Sequence, residues 1–386
     1  MDPKSLIDTS TASGLPAPVW FIELFKWLGF TLHEVPMNLW YAGIVVSMLL
    51  LVVGSEHGRR FSGRLMTQMP VVIAMGINFG IVPLLFIQVG FAQVFYPATV
   101  LMAWSWLGVI VLLIPAYYGV YVYTFGLAER GAAMPAWKRA AGWFAALLFL
   151  CIGFIFANAL SLIENWGGAP DLWLKHSAYG AALGTAMNTA DVRLWPRWLL
   201  MFGLALTTTA AWVAFDSAWF AGRESRDYRL WAKTFAMKLY AVGAAWFLIA
   251  GAWYSFFTWS SESQQVMFRS PMVLLTIVTI LAPAGPGLLL WFARRREGEI
   301  DRRWASLLGL AQFAVLGINA AGRQVVQHVE IRPYFDITAQ STETQWSAMA
   351  VFLGSFVVGL GLVAWMIYQV AKLPAAPEAA KVSVTP

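Results

Sequence analysis

Charged residues are scarce in this chain. Asp, Glu, Lys and Arg make up 12% of its 386 residues, against about a quarter in a soluble domain, so water is not its main solvent. Cysteine is rarer still: Cys151 stands alone. That excludes an internal disulfide, the Cys-x-x-Cys-His attachment of covalent haem c, and iron–sulfur ligation by this chain alone. No phosphate-binding glycine loop, zinc motif or nucleophile constellation is present. Residues 1–17 are polar and lack the basic start of a secretory signal, so no cleavable leader is expected. With four histidines in all, imidazole chemistry is confined to a few positions.

What is abundant is hydrocarbon. Hydrophobic residues are 59% of the chain and its mean hydropathy is +0.64. Apolar runs of roughly 20 residues, each able to cross a hydrocarbon core of about 30 Å, recur near 36–54, 68–92, 98–125, 137–160, 195–220, 232–258, 270–293, 304–321 and 346–371. The expected architecture is an all-α integral membrane protein with nine transmembrane helices. Residues 1–34 form an N-terminal segment, 35–372 the membrane domain, and 373–386 a Pro/Ala-rich tail predicted to be disordered and cytoplasmic. Within the first segment, residues 18–30 read as an interfacial helix, aromatic on one side and carrying Glu23 and Lys26 on the other.

The loops after odd-numbered spans, with the tail, hold 17 of the 26 basic residues. The positive-inside rule then puts the N-terminus outside and the C-terminus in the cytoplasm, as in a multi-pass protein of a bacterial inner membrane. The net charge of +6 follows from this topology and gives no support for nucleic-acid binding. Tryptophan is frequent, 21 residues in all. Trp20, Trp27, Trp166, Trp173, Trp195, Trp198, Trp259 and Trp346 fall near predicted outer ends, where such rings form a headgroup belt. An electron route lined by them is the alternative.

His33, in Thr31-Leu32-His33-Glu34-Val35-Pro36, stands at the mouth of the first predicted span. There an imidazole serves either as an axial haem ligand or as a hydrogen-bonded helix end. His328 lies on the same side, so a bis-histidine pair with His33 is allowed. His57 falls in a charged cytoplasmic loop and His176 in a long outer loop, where solvated roles are commoner. Glu34, Glu164 and Glu330 lie on the outer side, as ligands, relays or caps. Asp216 is the one acid clearly within a span, and a proton-channel role is its functional reading.

The order of several short elements resembles subunit I of the cytochrome bd oxygen reductases, across most of the chain. His33 matches that family's early haem-ligating histidine. Met75-Gly76-Ile77-Asn78-Phe79-Gly80 resembles its Gly-Ile-Asn-Phe element and Leu101-Met102-Ala103 its Leu-Met-Ala piece. Phe268-Arg269-Ser270-Pro271-Met272 is similar to its Phe-Arg-x-Met element, with one residue inserted. Gly322-Arg323-Gln324 matches its Gly-Arg-Gln. The resemblance implies a b-type haem with His33 on the iron, and cofactor-binding roles for Met272, Arg269, Arg323 and Gln324; His328 joins them as the other outer-side imidazole.

The departures are as informative. The family's large quinol loop between spans six and seven shrinks here to about 259–269. Its third-span glutamates fall on Thr99 and Leu107, its fifth-span histidine near Leu200, with Met201 and Arg197 nearby, and its ninth-span glutamate near Trp365. The expected function is therefore a bd-like subunit of a respiratory electron-transfer complex. It would work beside other membrane subunits and exchange electrons with a periplasmic c-type cytochrome, multihaem or not, rather than with quinol. A haem-free anchor for other respiratory subunits and a divergent oxygen reductase are the alternatives. A transporter is disfavoured by the lack of paired broken helices.

Overall fold

A computed structural model describes residues 2–7, 14–130, 133–269 and 272–372; the tail expected over 373–386 lies outside these. Nine helices among them are long and apolar enough to cross a membrane: Val19–Val53, Glu56–Gly90, Ala103–Glu129, Ala136–Glu164, Leu194–Trp219, Arg226–Phe257, Val273–Arg295, Arg302–Ile331 and Trp346–Met366. They are called the first to ninth spans below. The end of the bundle where the first span begins is the N-side, and the opposite end the C-side.

The C-side turns are started by side chains. Ser55 accepts a hydrogen bond from Gly58 N, Ser225 from Tyr228 N and Asp301 from Trp304 N. Each satisfies a backbone donor that the first turn of a helix leaves open.

The first span differs from its expected form. The interfacial helix and the span are one continuous helix from Val19 to Val53, so His33 lies inside the span and not at its mouth. Pro36 is likewise internal. It removes the N–H that would bond four residues back, and a single π-turn over Leu39–Gly43 follows it. The helix tolerates the proline because both sides are packed: Phe21, Ile22 and Phe25 toward the N-side, Ile44, Val46 and Met48 toward the C-side. Residues 14–16 are stitched to the stretch before the ninth span. Leu15 N donates to Ser341 O at 2.7 Å, and Glu343 N to Leu15 O at 2.8 Å.

Antiparallel neighbours pack first to second, third to fourth and fifth to sixth, with the eighth span lying across the first and fifth. Small residues allow these approaches, as is usual where lipid gives no hydrophobic drive between helices. A Cβ on Gly203 would stand 2.6 Å from Phe247 N. The core has two main parts. One fills the C-side half around Met48, Leu65, Met66, Phe149 and Tyr240. The other is aromatic and fills the N-side around Phe21, Phe25, Phe86 and Phe91.

The ninth span joins the N-side part through Phe352 and Phe356, which meet Phe25 edge-on. Most of its remaining length faces outward, as does most of the third span. Between the fourth and fifth spans a small hairpin pairs Ser177–Ala178 with Ala181–Ala182. Its turn residues Tyr179 and Gly180 both have positive φ, the geometry that matches strand twist.

Candidate functional site

The functional candidates collect in a polar layer inside the N-side half of the bundle. His33 projects from the first span onto the second. Its Nδ1 lies 2.8 Å from Gly76 O. A carbonyl only accepts, so Nδ1 donates, and in the neutral ring Nε2 then carries the lone pair. Nε2 makes no hydrogen bond among the described residues. Two glycines create the ring's seat. A Cβ on Gly80 would fall 2.8 Å from His33 Cε1, and one on Gly76 would run into the Trp40 ring. Trp40 meets His33 edge-to-face, with centroids 5.8 Å apart. The His33 element and the Met75–Gly80 element, distant in sequence, are therefore in contact.

Beside this seat lies a set of buried charges. Arg197 Nη1 donates to Glu164 Oε2, both residues being at most 3% exposed. Nε and Nη2 of Arg197, Oε1 of Glu164 and Oε2 of Glu34 have no hydrogen-bond partner among the described residues. The Arg323 guanidinium lies 3.6 Å from the centre of the Phe30 ring, within electrostatic reach of His33, Glu34, Arg197 and Glu164. Unpaired donors and acceptors at such depth cost free energy unless water or a ligand meets them.

The rim of the layer is better satisfied. Arg193 pairs with Glu330 at 3.0 Å, and Glu330 also accepts from Ser260 N. Asp191, in the loop before the fifth span, accepts from Arg193 N and Asn188 Nδ2. Burial nonetheless pushes its carboxyl above the ordinary aspartate value.

The remaining candidates are placed elsewhere. His328 Nε2 lies 3.0 Å from Glu23 Oε1. Gln324 donates to the same carboxylate, and Lys26 pairs with it at 2.9 Å. Glu23 and His33 are ten residues apart on one helix, about 15 Å along its axis. The bis-histidine pair that the sequence allowed is therefore not formed: His328 bonds at the level of Glu23, while His33 sits deeper. Arg269 ends a short helix, Ser261–Arg269, with an exposed side chain. Met272, 37% exposed, immediately precedes the seventh span; residues 270–271 of their shared element lie outside the described part.

Asp216 is clasped by Arg64 at 2.9 Å and by Gln68 at 2.8 Å, and Arg64 and Arg60 both reach Glu224. That makes it the centre of a C-side brace between the second and fifth spans. His57 packs near Tyr228 and Trp231. His176 contacts Thr185 in the loop hairpin. Thr99 bonds back to Phe95 O in its own helix, and Leu107 and Trp365 face outward, so none of these three offers an interior ligand.

A second polar cluster, absent from the expected set, crosses the middle of the bundle. Asn38 donates to Thr208, Gln312 to Thr207 and Thr208, and Tyr240 to Gln312. Its signal in the sequence is the Thr207-Thr208-Thr209 run inside an apolar span. The Arg197–Glu164 pair had a weaker signal, since Glu164 ends the fourth span and Arg197 stands in the first turn of the fifth. No family model matches the chain, and no curated protein is similar enough to count as a relative.

Proposed function

We propose that the chain is a bd-like membrane subunit of a respiratory electron-transfer complex, holding a b-type haem through His33. One observation carries the reading: His33 donates its Nδ1–H to Gly76 O, and its Nε2 makes no hydrogen bond among the described residues. A backbone carbonyl that fixes the tautomer and the ring plane is the usual support of a ligating imidazole.

The residues present fit the group. Gly76 and Gly80 let the Trp40 and His33 rings lie directly against the second span. Arg197 and Arg323, with Arg197 short of acceptors, would meet the two carboxylates that a b-type haem carries. Glu34 and Glu164, each with one unpartnered oxygen, are placed to hold a proton when the local charge changes. When bound, the haem supplies one-electron transfer. The tryptophan-bearing N-side loops would face a c-type cytochrome in the periplasm, in the orientation that the Lys and Arg bias supports.

A haem-free anchor is the second reading. It is favoured by His328, Gln324 and Asp216, each of which already has a protein partner.

A pyridine haemochrome assay on the purified full chain separates the two. The expected result is stoichiometric b-type haem, lost in His33→Ala and kept in His328→Ala, with unchanged helical circular dichroism in both. A colourless wild-type protein, or haem retained without His33, overturns the first reading.

A further inference from the structure

On the C-side, the turn between the seventh and eighth spans carries five arginines within ten residues: Arg294, Arg295, Arg296, Arg302 and Arg303. None has a carboxylate within ion-pair distance among the described residues. The nearby acids are largely committed. Glu299 pairs with Arg229 at 2.9 Å, and Asp301 caps the eighth span through Trp304 N at 2.8 Å.

The turn is held in shape from below. Lys233 Nζ donates to Arg296 O at 2.9 Å and to Gly298 O at 2.6 Å. The guanidinium groups are splayed on tryptophan faces. Arg295 lies 3.8 Å from the Trp291 ring centre, Arg296 4.1 Å from Trp304 and Arg302 5.1 Å from Trp219. Stacking leaves the edges of these planar cations, with their N–H donors, free to bind an anion.

A depression of about 480 Å³ opens here, lined by Asp301, Arg302, Arg303, Trp304 and Leu307. Arg303, Leu307 and Leu310 are spaced i, i+4, i+7, so they share one face of the eighth span. Leu307 and Leu310 are exposed. A cationic hollow thus runs directly onto an apolar strip that faces the hydrocarbon.

We propose that this hollow is a binding site for an anionic phospholipid, its phosphodiester at Arg302 and Arg303 and an acyl chain along Leu307 and Leu310. Charge selects the class. The surplus of unpaired arginines favours a net-negative headgroup such as phosphatidylglycerol and disfavours a choline headgroup, whose ammonium would meet guanidinium.

The test is native mass spectrometry of the full chain in mild detergent, titrated separately with phosphatidylglycerol and phosphatidylcholine. Phosphatidylglycerol should bind in preference. In R302A/R303A its apparent affinity should fall about thirtyfold, the effect of losing two surface cations at about 1 kcal/mol each. In R223A/R226A, exposed arginines of another C-side turn, it should be unchanged, and R302K/R303K should retain the preference. Equal binding of the two lipids by the wild-type chain overturns the proposal, as do equal losses in both alanine pairs. Displacement of bound phosphatidylglycerol by inorganic phosphate would identify a free-phosphate site and also overturn it.

Discussion

Gly243 of the sixth span faces Gly203 of the fifth so closely that a Cβ on Gly243 would lie 3.0 Å from the Gly203 carbonyl oxygen and 2.8 Å from Thr207 N. The atoms in the way are backbone, which cannot rotate aside. Gly243→Val should therefore force the two helices apart and cost about 1–3 kcal/mol or more, read as a lower melting temperature in detergent. Gly285→Ala, where an added Cβ meets nothing within 4 Å, should leave that temperature unchanged.

Gly80→Ala tests the seat of His33 without removing the imidazole. The new methyl would press on Cε1 and Nδ1 and turn the ring from Gly76 O. On the proposed haem reading, a shifted haem spectrum with little loss of fold is the expected outcome. A spectrum identical to wild type would mean that the ring's orientation does not matter to the cofactor.

The Arg197–Glu164 pair should show strong coupling. Removing one member of a buried ion pair typically costs about 3–5 kcal/mol, because the other is left uncompensated. Glu164→Gln and Arg197→Gln should each destabilise more than the double variant does. A double-mutant cycle on unfolding in detergent measures the coupling, and strict additivity would show that the two groups do not depend on each other.

Asp216→Asn is expected to act on stability. Its carboxylate holds Arg64 and Gln68, so the variant should lower expression and melting temperature. Haem content in the surviving fraction should match wild type.

The N-side loop after the eighth span should respond to acid. Asp336 accepts from Thr338 Oγ1 at 2.6 Å and from Thr338 N at 2.9 Å, and these bonds hold its carboxyl below the ordinary aspartate value. A folded value below the unfolded one means that the contribution is present above the unfolded value and lost as pH falls through the folded one. Hydrogen exchange at 337–340 should accelerate only in that acid range, and Asp336→Ala should show fast exchange at neutral pH.

Much of the fold was legible because bilayer thickness leaves a strong imprint on sequence. All nine apolar runs became helices. The ends were less legible. Residues 18–30 carry enough charge, at Glu23 and Lys26, to read as interfacial, yet both charges have partners within the protein: each other, and for Glu23 also hydrogen bonds with His328 and Gln324. Tertiary partners made that stretch part of a span, which composition alone does not reveal. His33, Arg323 and Glu164, which the structure gathers in one polar layer, could each be singled out in the sequence. That His33 would meet Gly76 while His328 met Glu23 depends on which helices are neighbours, and hydropathy does not encode that.

The π-turn at Leu39–Gly43 lets one helix serve two phases. An α-helix advances about 100° per residue, so the single residue accommodated there rotates everything beyond it relative to His33. Met48 and Val46 thereby reach the C-side core while the imidazole keeps its place over Gly80. Excising one residue from that stretch would leave the helix its length and apolarity, yet swing one half's contacts out toward lipid. For this chain, a polypeptide count between Pro36 and Ile44 matters as much as the identity of the amino acids that fill it.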